Sequence, residues 1–239
     1  MNSMSSTFTK NPNMNTDAAS RRKILSASSS FVEIEAYKTL RTNIQFSLRG
    51  KGCKKICITS STSGEGKSIT ILNLAISFAE VGKKVLLIDA DLRRPAIARL
   101  LREPAAIGLA NVLADIVTPQ EAIHKDVFPN LDIIFSGDIP PNPLELLNGE
   151  PMEKLISEMS EVYDYILVDT PPAAVVSDAC VVANLLDGVL FLVRSGRSDK
   201  DDVKLALNNL QLIGAKIMGF ILNGVVIDPN KKYYKYYDK

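Results

Sequence analysis

Ser60-Ser61-Thr62-Ser63-Gly64-Glu65-Gly66-Lys67-Ser68 is the stretch on which the reading of this chain turns. It joins a short apolar run, Ile56–Thr59, to an amphipathic run that starts at Lys67. A strand, a loop of small residues and a helix in that order bring backbone N–H groups and a helix N-terminus onto one point, which is the chemistry of a phosphate cradle. Ser63, Gly64, Glu65, Gly66, Lys67, Ser68 and Ile69 are the candidate nucleotide-binding residues. Lys67 is placed to reach the outer phosphate oxygens, and Ser68 to ligate Mg²⁺. One departure is plain: Ser61 stands five residues before Gly66, where such loops usually carry their first glycine. Ser60, Ser61, Ser63 and Gly64 are small enough to keep the loop tight.

Outward from the loop, short apolar runs alternate with helical patterns. The strand candidates are Ile56–Thr59, Val85–Ile88, Leu131–Phe135, Tyr165–Val168, Val189–Val193 and Ile217–Leu222. Helices are expected over Val32–Leu48, Lys67–Val81, Ala96–Arg102, Pro119–Lys125, Leu144–Met159, Ser177–Leu186 and Lys200–Ile213, with Gly82 and Gly214 as C-terminal stops. Apolar strands separated by helices predict an α/β fold: a doubly wound, mostly parallel sheet with helices on both faces, of the deviant P-loop NTPase type. Residues 1–30, rich in Ser, Asn and Thr, are expected to form a flexible N-terminal arm. Residues 31–226 are expected to form the nucleotide-binding domain and 227–239 a flexible, tyrosine-rich tail.

The length of 239 residues fits one large domain, and the 46% hydrophobic fraction suffices for a substantial core. A formal charge of +1 gives no global pull toward nucleic acid, and none is expected as a partner. Three cysteines, Cys53, Cys57 and Cys180, are too few and odd for a disulfide framework and fit a reducing cytoplasm. They read as packing residues, and the lone His124, in a polar helical stretch, as a surface residue. The sequence carries no secretory leader pattern and no run of roughly 18 apolar residues, so membrane work would require another anchor.

Two further apolar runs end in carboxylates. Leu86-Leu87-Ile88-Asp89-Ala90-Asp91-Leu92-Arg93 offers Asp89 and Asp91, and Ile166-Leu167-Val168-Asp169-Thr170-Pro171-Pro172 offers Asp169. In a parallel sheet the strand tips share one edge, and ligands bind outside it. Lys67, Ser68, Asp89, Asp91 and Asp169 are therefore expected to form a Mg·ATP site, with Ser68, Asp89 and Asp169 toward the metal. Lys67, Asp89 and Asp91 are the catalytic candidates, either aspartate serving as base. A weak base suffices, because phosphoryl transfer depends on positioning and charge neutralisation.

The chain ends in Lys231-Lys232-Tyr233-Tyr234-Lys235-Tyr236-Tyr237-Asp238-Lys239. Tyr233, Tyr234, Tyr236 and Tyr237 are candidate phosphoacceptors. A parallel last strand would release the tail on the nucleotide edge, and some 15 residues at roughly 3.3 Å each give it a reach of about 50 Å. That covers its own site or a neighbour's. Each phosphotyrosine would add about −1.5 to −2 charges to a basic tail.

From about Phe31 to Lys239 the chain resembles the bacterial tyrosine kinases of capsular and exopolysaccharide synthesis, in their cytoplasmic, separate-polypeptide Gram-positive form. The resemblance rests on Gly64-Glu65-Gly66-Lys67-Ser68, Asp89-Ala90-Asp91-Leu92-Arg93, Pro141-Asn142-Pro143, Asp169-Thr170-Pro171-Pro172 and the tyrosine tail. It implies autophosphorylation in trans within a ring, an octamer among its expected sizes, built through a helical row that here reads Glu35, Lys38, Arg41. It also implies a transmembrane activator that recruits the kinase to the inner face of the membrane, further tyrosine substrates and a cognate tyrosine phosphatase. Asn223 matches the position that meets adenine. The competing reading is a partition or site-selection ATPase switch. Such proteins use a signature lysine early in the loop, where Ser61, Thr62 and Ser63 stand here.

Overall fold

The computed structural model describes residues 24–225. The strands are β1 (Lys54–Ser60), β2 (Val85–Asp89), β3 (Ile123–Phe128), β4 (Leu131–Ile134), β5 (Tyr165–Asp169), β6 (Gly188–Arg194) and β7 (Ile217–Asn223). They form one sheet in the order β3-β4-β2-β5-β1-β6-β7, parallel throughout except for the β3–β4 pair. The helices are α1 (Phe31–Ser47), α2 (Lys67–Ala79), α3 (Ile97–Leu101), α4 (Leu109–Leu113), α5 (Pro119–Ala122), α6 (Pro143–Leu147), α7 (Glu150–Ser160), α8 (Asp178–Ala183) and α9 (Lys200–Leu212).

Successive residues of a strand point to opposite faces, so each inner strand serves two cores. Leu86, Ile88, Ile166 and Val168 join a core closed by α4, α6, α7, α8 and α9. Val85, Leu87, Tyr165 and Leu167 join another, closed by α1, α2 and α3. Burial on both faces is why these strands read as unbroken apolar runs. The edge strand β7 is different: Phe220 and Leu222 stay exposed.

Two helical expectations are corrected. The Leu144–Met159 helix is two helices, α6 and α7, broken at Asn148-Gly149. Pro151, lacking an N–H, cannot continue a helix that enters it and sits instead in the first turn of the next. The Pro119–Lys125 helix stops at Ala122, and His124 lies on β3, an antiparallel edge strand with a register shift at Asp126's end of the pair. His124 packs edge-on against Phe135, with ring centroids 4.6 Å apart. The short helix α4 had no expected counterpart.

At the N-terminal boundary, Leu25 is buried, and its N–H donates to Asn73 Oδ1 at 2.8 Å. Residues 24–30 therefore belong to the folded unit and not to the arm expected over 1–30, because Leu25 has apolar surface to bury against α2. Ser30 caps α1 in a reciprocal box with Glu33. The remainder of that arm, and the tail with Tyr233, Tyr234, Tyr236 and Tyr237, lie outside the described residues.

Candidate nucleotide and phosphoryl-transfer site

The loop between β1 and α2 turns through Gly64 and Gly66, both in the left-handed region, at φ 75° and 108°. Gly66 also has a steric reason. A Cβ there would strike Asn223 Nδ2, and one on Gly64 would meet Arg197 Nη2 at 2.8 Å. Both positions need glycine for their positive φ, and at each the missing Cβ leaves room for a side chain to close over the loop.

Glu65 does not turn outward to a ligand. Its side chain is buried and gathers the loop. It accepts from Ser61 Oγ at 3.1 Å, from the Thr62 N–H at 3.1 Å, and from Ser198 Oγ at the start of the β6–α9 turn region. Burial alone would raise its pKa; the bonds from Ser198, Thr62 and the loop serines outweigh that and hold it below the ordinary carboxylate value. Ser61, in the place of the expected first glycine, is thus a structural donor within the loop.

Two arginines that sequence reasoning had not singled out brace the same loop. Arg194 Nη1 donates to the Gly64 carbonyl at 2.8 Å, and Arg197 Nη2 reaches the Ser63 carbonyl at 3.4 Å. Asn223 Nδ2 donates to the Glu65 carbonyl at 2.8 Å. Asn223 also lines a cavity of about 630 Å³ with Ile69, Thr70 and Tyr37. It therefore stands at the loop, with its amide engaged with backbone. A run of Gly, Ser and Arg just past β6 was the only sequence signal for this brace.

The carboxylates converge from two strands. Asp89 and Asp169 are register partners at the tips of β2 and β5, and Ile58 of β1 is the neighbour of Asp169 on the other side. Both are fully buried. Asp89 Oδ2 accepts from the N–H groups of Ile97 at 3.1 Å and Ala96 at 3.3 Å, and Oδ1 from that of Asp91 at 3.3 Å. Burial pushes Asp89 up to about 7 in spite of the Ile97 bond, with the Asp91 charge adding to the rise. Asp169 has no hydrogen-bond partner on either oxygen. Its pKa is driven well above the usual range, by burial first and by Asp89 second; Lys67 and Ser68 pull it the other way.

The exit from β5 is pinned to β1. Thr59 Oγ1 donates to the Pro171 carbonyl at 2.8 Å, Thr170 Oγ1 to the Ile58 carbonyl at 2.7 Å, and Ala173 N–H to the Ser60 carbonyl at 2.9 Å. Across the cleft, Arg93 forms a bidentate pair with Asp178, Nε to Oδ2 at 2.7 Å and Nη2 to Oδ1 at 3.0 Å. Asp178 is fully buried at the start of α8. This pair fixes the Asp91–Arg94 segment to the opposite face. Between these walls lies a cleft of about 970 Å³ lined by Ser63, Gly64, Gly66, Lys67, Ser68, Ile69 and Asp91.

The residues fit Mg·ATP on their own chemistry. A glycine-bearing loop capped by a helix start suits phosphates, and a buried carboxylate without a donor, Asp169, beside a second buried carboxylate suits a cation. Ser68, Asp89 and Asp169 are the group that would hold Mg²⁺, and the phosphate loop would hold ATP. The Glu35–Lys38–Arg41 row is divided. Lys38 and Glu35 pair with each other at 2.7 Å on the surface of α1. Arg41 turns inward and donates to the Ser77 carbonyl and to Ser77 Oγ on α2.

A family model described as an AAA domain matches residues 53–191. Tyrosine-protein kinase YwqD of Bacillus subtilis is 40% identical over 199 residues, covering 83% of this chain and 84% of that protein. Among solved structures, the kinase domain of Escherichia coli tyrosine kinase ETK aligns with a TM-score of 0.79 at 35% identity, covering 84% of this chain and 79% of that one. The chimerical protein CapA2B2 aligns with 0.77 at 33%, covering 82% and 86%. The septum site-determining protein MinD of Pyrococcus horikoshii, in complex with Mg-ADP, shares the fold at 0.60 and 26% identity, over 71% of this chain and 70% of that one.

Proposed function

This chain belongs to the family of bacterial tyrosine-protein kinases, and we propose that it transfers the γ-phosphoryl group of ATP to tyrosine hydroxyls, its own Tyr233, Tyr234, Tyr236 and Tyr237 among them. The observation that carries the reading is the pairing of a glycine phosphate loop with two buried carboxylates on adjacent strand tips, Asp89 and Asp169, the second without a donor on either oxygen. Lys67, at the start of α2, neutralises charge on the transferring group. Mg²⁺, when bound, supplies further neutralisation between the phosphates.

Of the two candidate bases, Asp91 faces the acceptor. It lines the open cleft, whereas Asp89 lies beneath it, its oxygens taken by the Ala96, Ile97 and Asp91 N–H groups. In the transfer, a tyrosine Oη bonds to the γ-phosphorus as the bond to the ADP oxygen breaks. The bonding pair stays on ADP, and the phenolic proton passes to Asp91. Good positioning and fixed charges supply the acceleration. Arg93, by its bond to Asp178, holds the segment that carries Asp91.

The wider reading follows the family resemblance. Copies of the chain form a ring in which one tail enters the next copy's cleft. A transmembrane activator of polysaccharide export brings the kinase to the inner face of the membrane, and a cognate phosphatase resets it. Among the described residues no helix is long and apolar enough to cross a membrane, which is consistent with a need for such a partner. Glu35 and Lys38 are the exposed ring-contact candidates. The ATPase-switch reading is not favoured by the identities, 26% to MinD against 33–40% to the kinase relatives.

The test is tail-peptide mass spectrometry after the purified chain has been incubated with Mg·ATP and the activator's cytoplasmic segment, beside Lys67→Met. Phosphate on Tyr233 to Tyr237 in the wild type alone is the expected result. A bare tail despite demonstrated ATP binding would return the chain to the ATPase-switch reading.

A further inference from the structure

The cleft extends past the phosphate loop to a wall that no nucleotide phosphate requires. Arg94, Arg99, Ile139, Pro172 and Val175 also line the cleft. Ile139 and Val175 are 64% and 65% exposed, unusual for large apolar side chains beside an active site. Arg93, in the same run, is committed to Asp178. Arg94 and Arg99 are exposed, and among the described residues neither forms a salt bridge. Exposed apolar side chains and guanidinium groups without an ion pair in one cleft suit an aromatic ring with an anion close by. Guanidinium forks pair bidentately with phosphate and carboxylate alike, and the phosphate of a phosphotyrosine carries the larger charge.

The acceptor tail is arranged in adjacent tyrosine pairs, Tyr233-Tyr234 and Tyr236-Tyr237, separated and preceded by lysines. Its cationic flanks oppose the two arginines. From Lys231 onward the single acidic residue is Asp238, directly after Tyr237. Once one tyrosine of a pair is phosphorylated, its neighbour carries an adjacent charge of about −1.5 to −2.

Building on the kinase reading, we propose that Arg94 and Arg99 are specificity determinants that read a negative charge beside the acceptor tyrosine, so that phosphate on one tail tyrosine promotes transfer to the next. Tyr237, flanked by Asp238, is the starting acceptor. Tyr236 follows, and the Tyr233-Tyr234 pair comes last. Each transfer has the same balance: one P–O bond to ADP is exchanged for one to a phenol, and one proton is released.

The experiment uses the full chain with its four tail tyrosines changed to phenylalanine and loaded with Mg·ADP, so that no tail phosphate is present beforehand. Fluorescein-labelled peptides of residues 229–239 are titrated in three forms: unmodified, with phosphotyrosine at 237, and with glutamate at 237. The phosphopeptide should bind about tenfold more tightly than the unmodified one, and the difference should shrink as salt is added. In Arg94→Gln/Arg99→Gln the ratio should fall to within about twofold. Arg94→Lys/Arg99→Lys, which keeps charge but not the fork, should lie between. A thermal melt confirms that each variant is folded.

Equal binding of phosphorylated and unmodified peptide by the parent chain would overturn the assignment. So would an undiminished preference in the folded double glutamine variant, or a glutamate peptide binding as tightly as the phosphopeptide. The outcome is separable from the kinase reading, because it is read by binding. A clear preference with no tail phosphate under Mg·ATP and activator would fail the kinase reading and leave a phosphotyrosine site. Tail phosphorylation without the preference would fail the arginine assignment alone.

Discussion

Asp89 and Asp169 stand side by side as register partners on adjacent parallel strands, both fully buried, and the two oxygens of Asp169 have no donor. Two like charges in one dry site destabilise the ion-free fold, and a cation relieves them. Asp169→Asn should therefore raise the melting midpoint of the chain in EDTA by a few degrees, given about 2–4 °C per kcal/mol for a domain of this size. The same change should remove most of the stabilisation that Mg·ADP confers. Scanning calorimetry with and without Mg·ADP reads both, and a lowered midpoint in EDTA would refute the account.

Glu65 carries the pH dependence of the loop. Its folded-state pKa lies below the ordinary 4.5, since the bonds from Ser198, Thr62 and the serines outweigh burial. The stability it contributes is present above that ordinary value and is lost as pH falls through the folded value. Glu65→Gln should flatten the acid limb of the melting-midpoint profile between about pH 5 and pH 3. Ser198→Ala should do so in part. An acid limb identical to the parent's in both variants would show that the cluster is not what titrates.

The pair of Arg93 and Asp178 gives an asymmetric prediction. Arg93→Ala strands a fully buried carboxylate and should cost about 1–3 kcal/mol. Arg93→Ala/Asp178→Asn should recover much of that loss without restoring phosphoryl transfer, because the segment bearing Asp91 has lost its tether. Urea unfolding paired with the tail-phosphorylation assay distinguishes the two effects. Equal loss in the single and double variants would remove the pair from the argument.

Arg41 and Lys38 should separate fold from assembly. Arg41→Ala removes a link between α1 and α2 and should lower the melting midpoint. Lys38→Glu faces solvent beside Glu35, leaves the interior alone and should shift the oligomer distribution if the row contacts a neighbour. Light scattering beside thermal melts would reverse this assignment if Lys38→Glu were the destabilised variant.

What was legible in the sequence follows from periodicity and dry strands. Val85–Asp89 and Tyr165–Asp169 are buried on both faces, so their apolar runs were unambiguous. Their terminal aspartates fell at the sheet edge by topology alone. The antiparallel β3 was not legible, because Ile123–Phe128 is only half-buried and mixes polar with apolar residues in no clean alternation. Within the candidate site, Lys67, Ser68, Asp89, Asp91 and Asp169 could be singled out because they lie next to strand tips or within the loop. Arg194, Arg197 and Ser198 were missed because they act on the loop from more than 120 positions away and form no local motif. The internal role of the Glu65 side chain was not legible for a related reason: its partner Ser198 is invisible from the loop itself.

The brace on the phosphate loop also sets a timetable for synthesis. β1 lies between β5 and β6, and Asn223 closes onto Glu65 across 158 positions. A nascent chain stalled before β6 has made Gly64-Glu65-Gly66-Lys67 but neither Ser198 nor Asn223, and the strand beneath the loop has a bare edge. The loop is therefore fully braced only once Asn223, the last residue of β7, has been made. A product truncated before β6 would carry the phosphate-loop sequence on a strand with one unpaired apolar edge, an aggregation hazard.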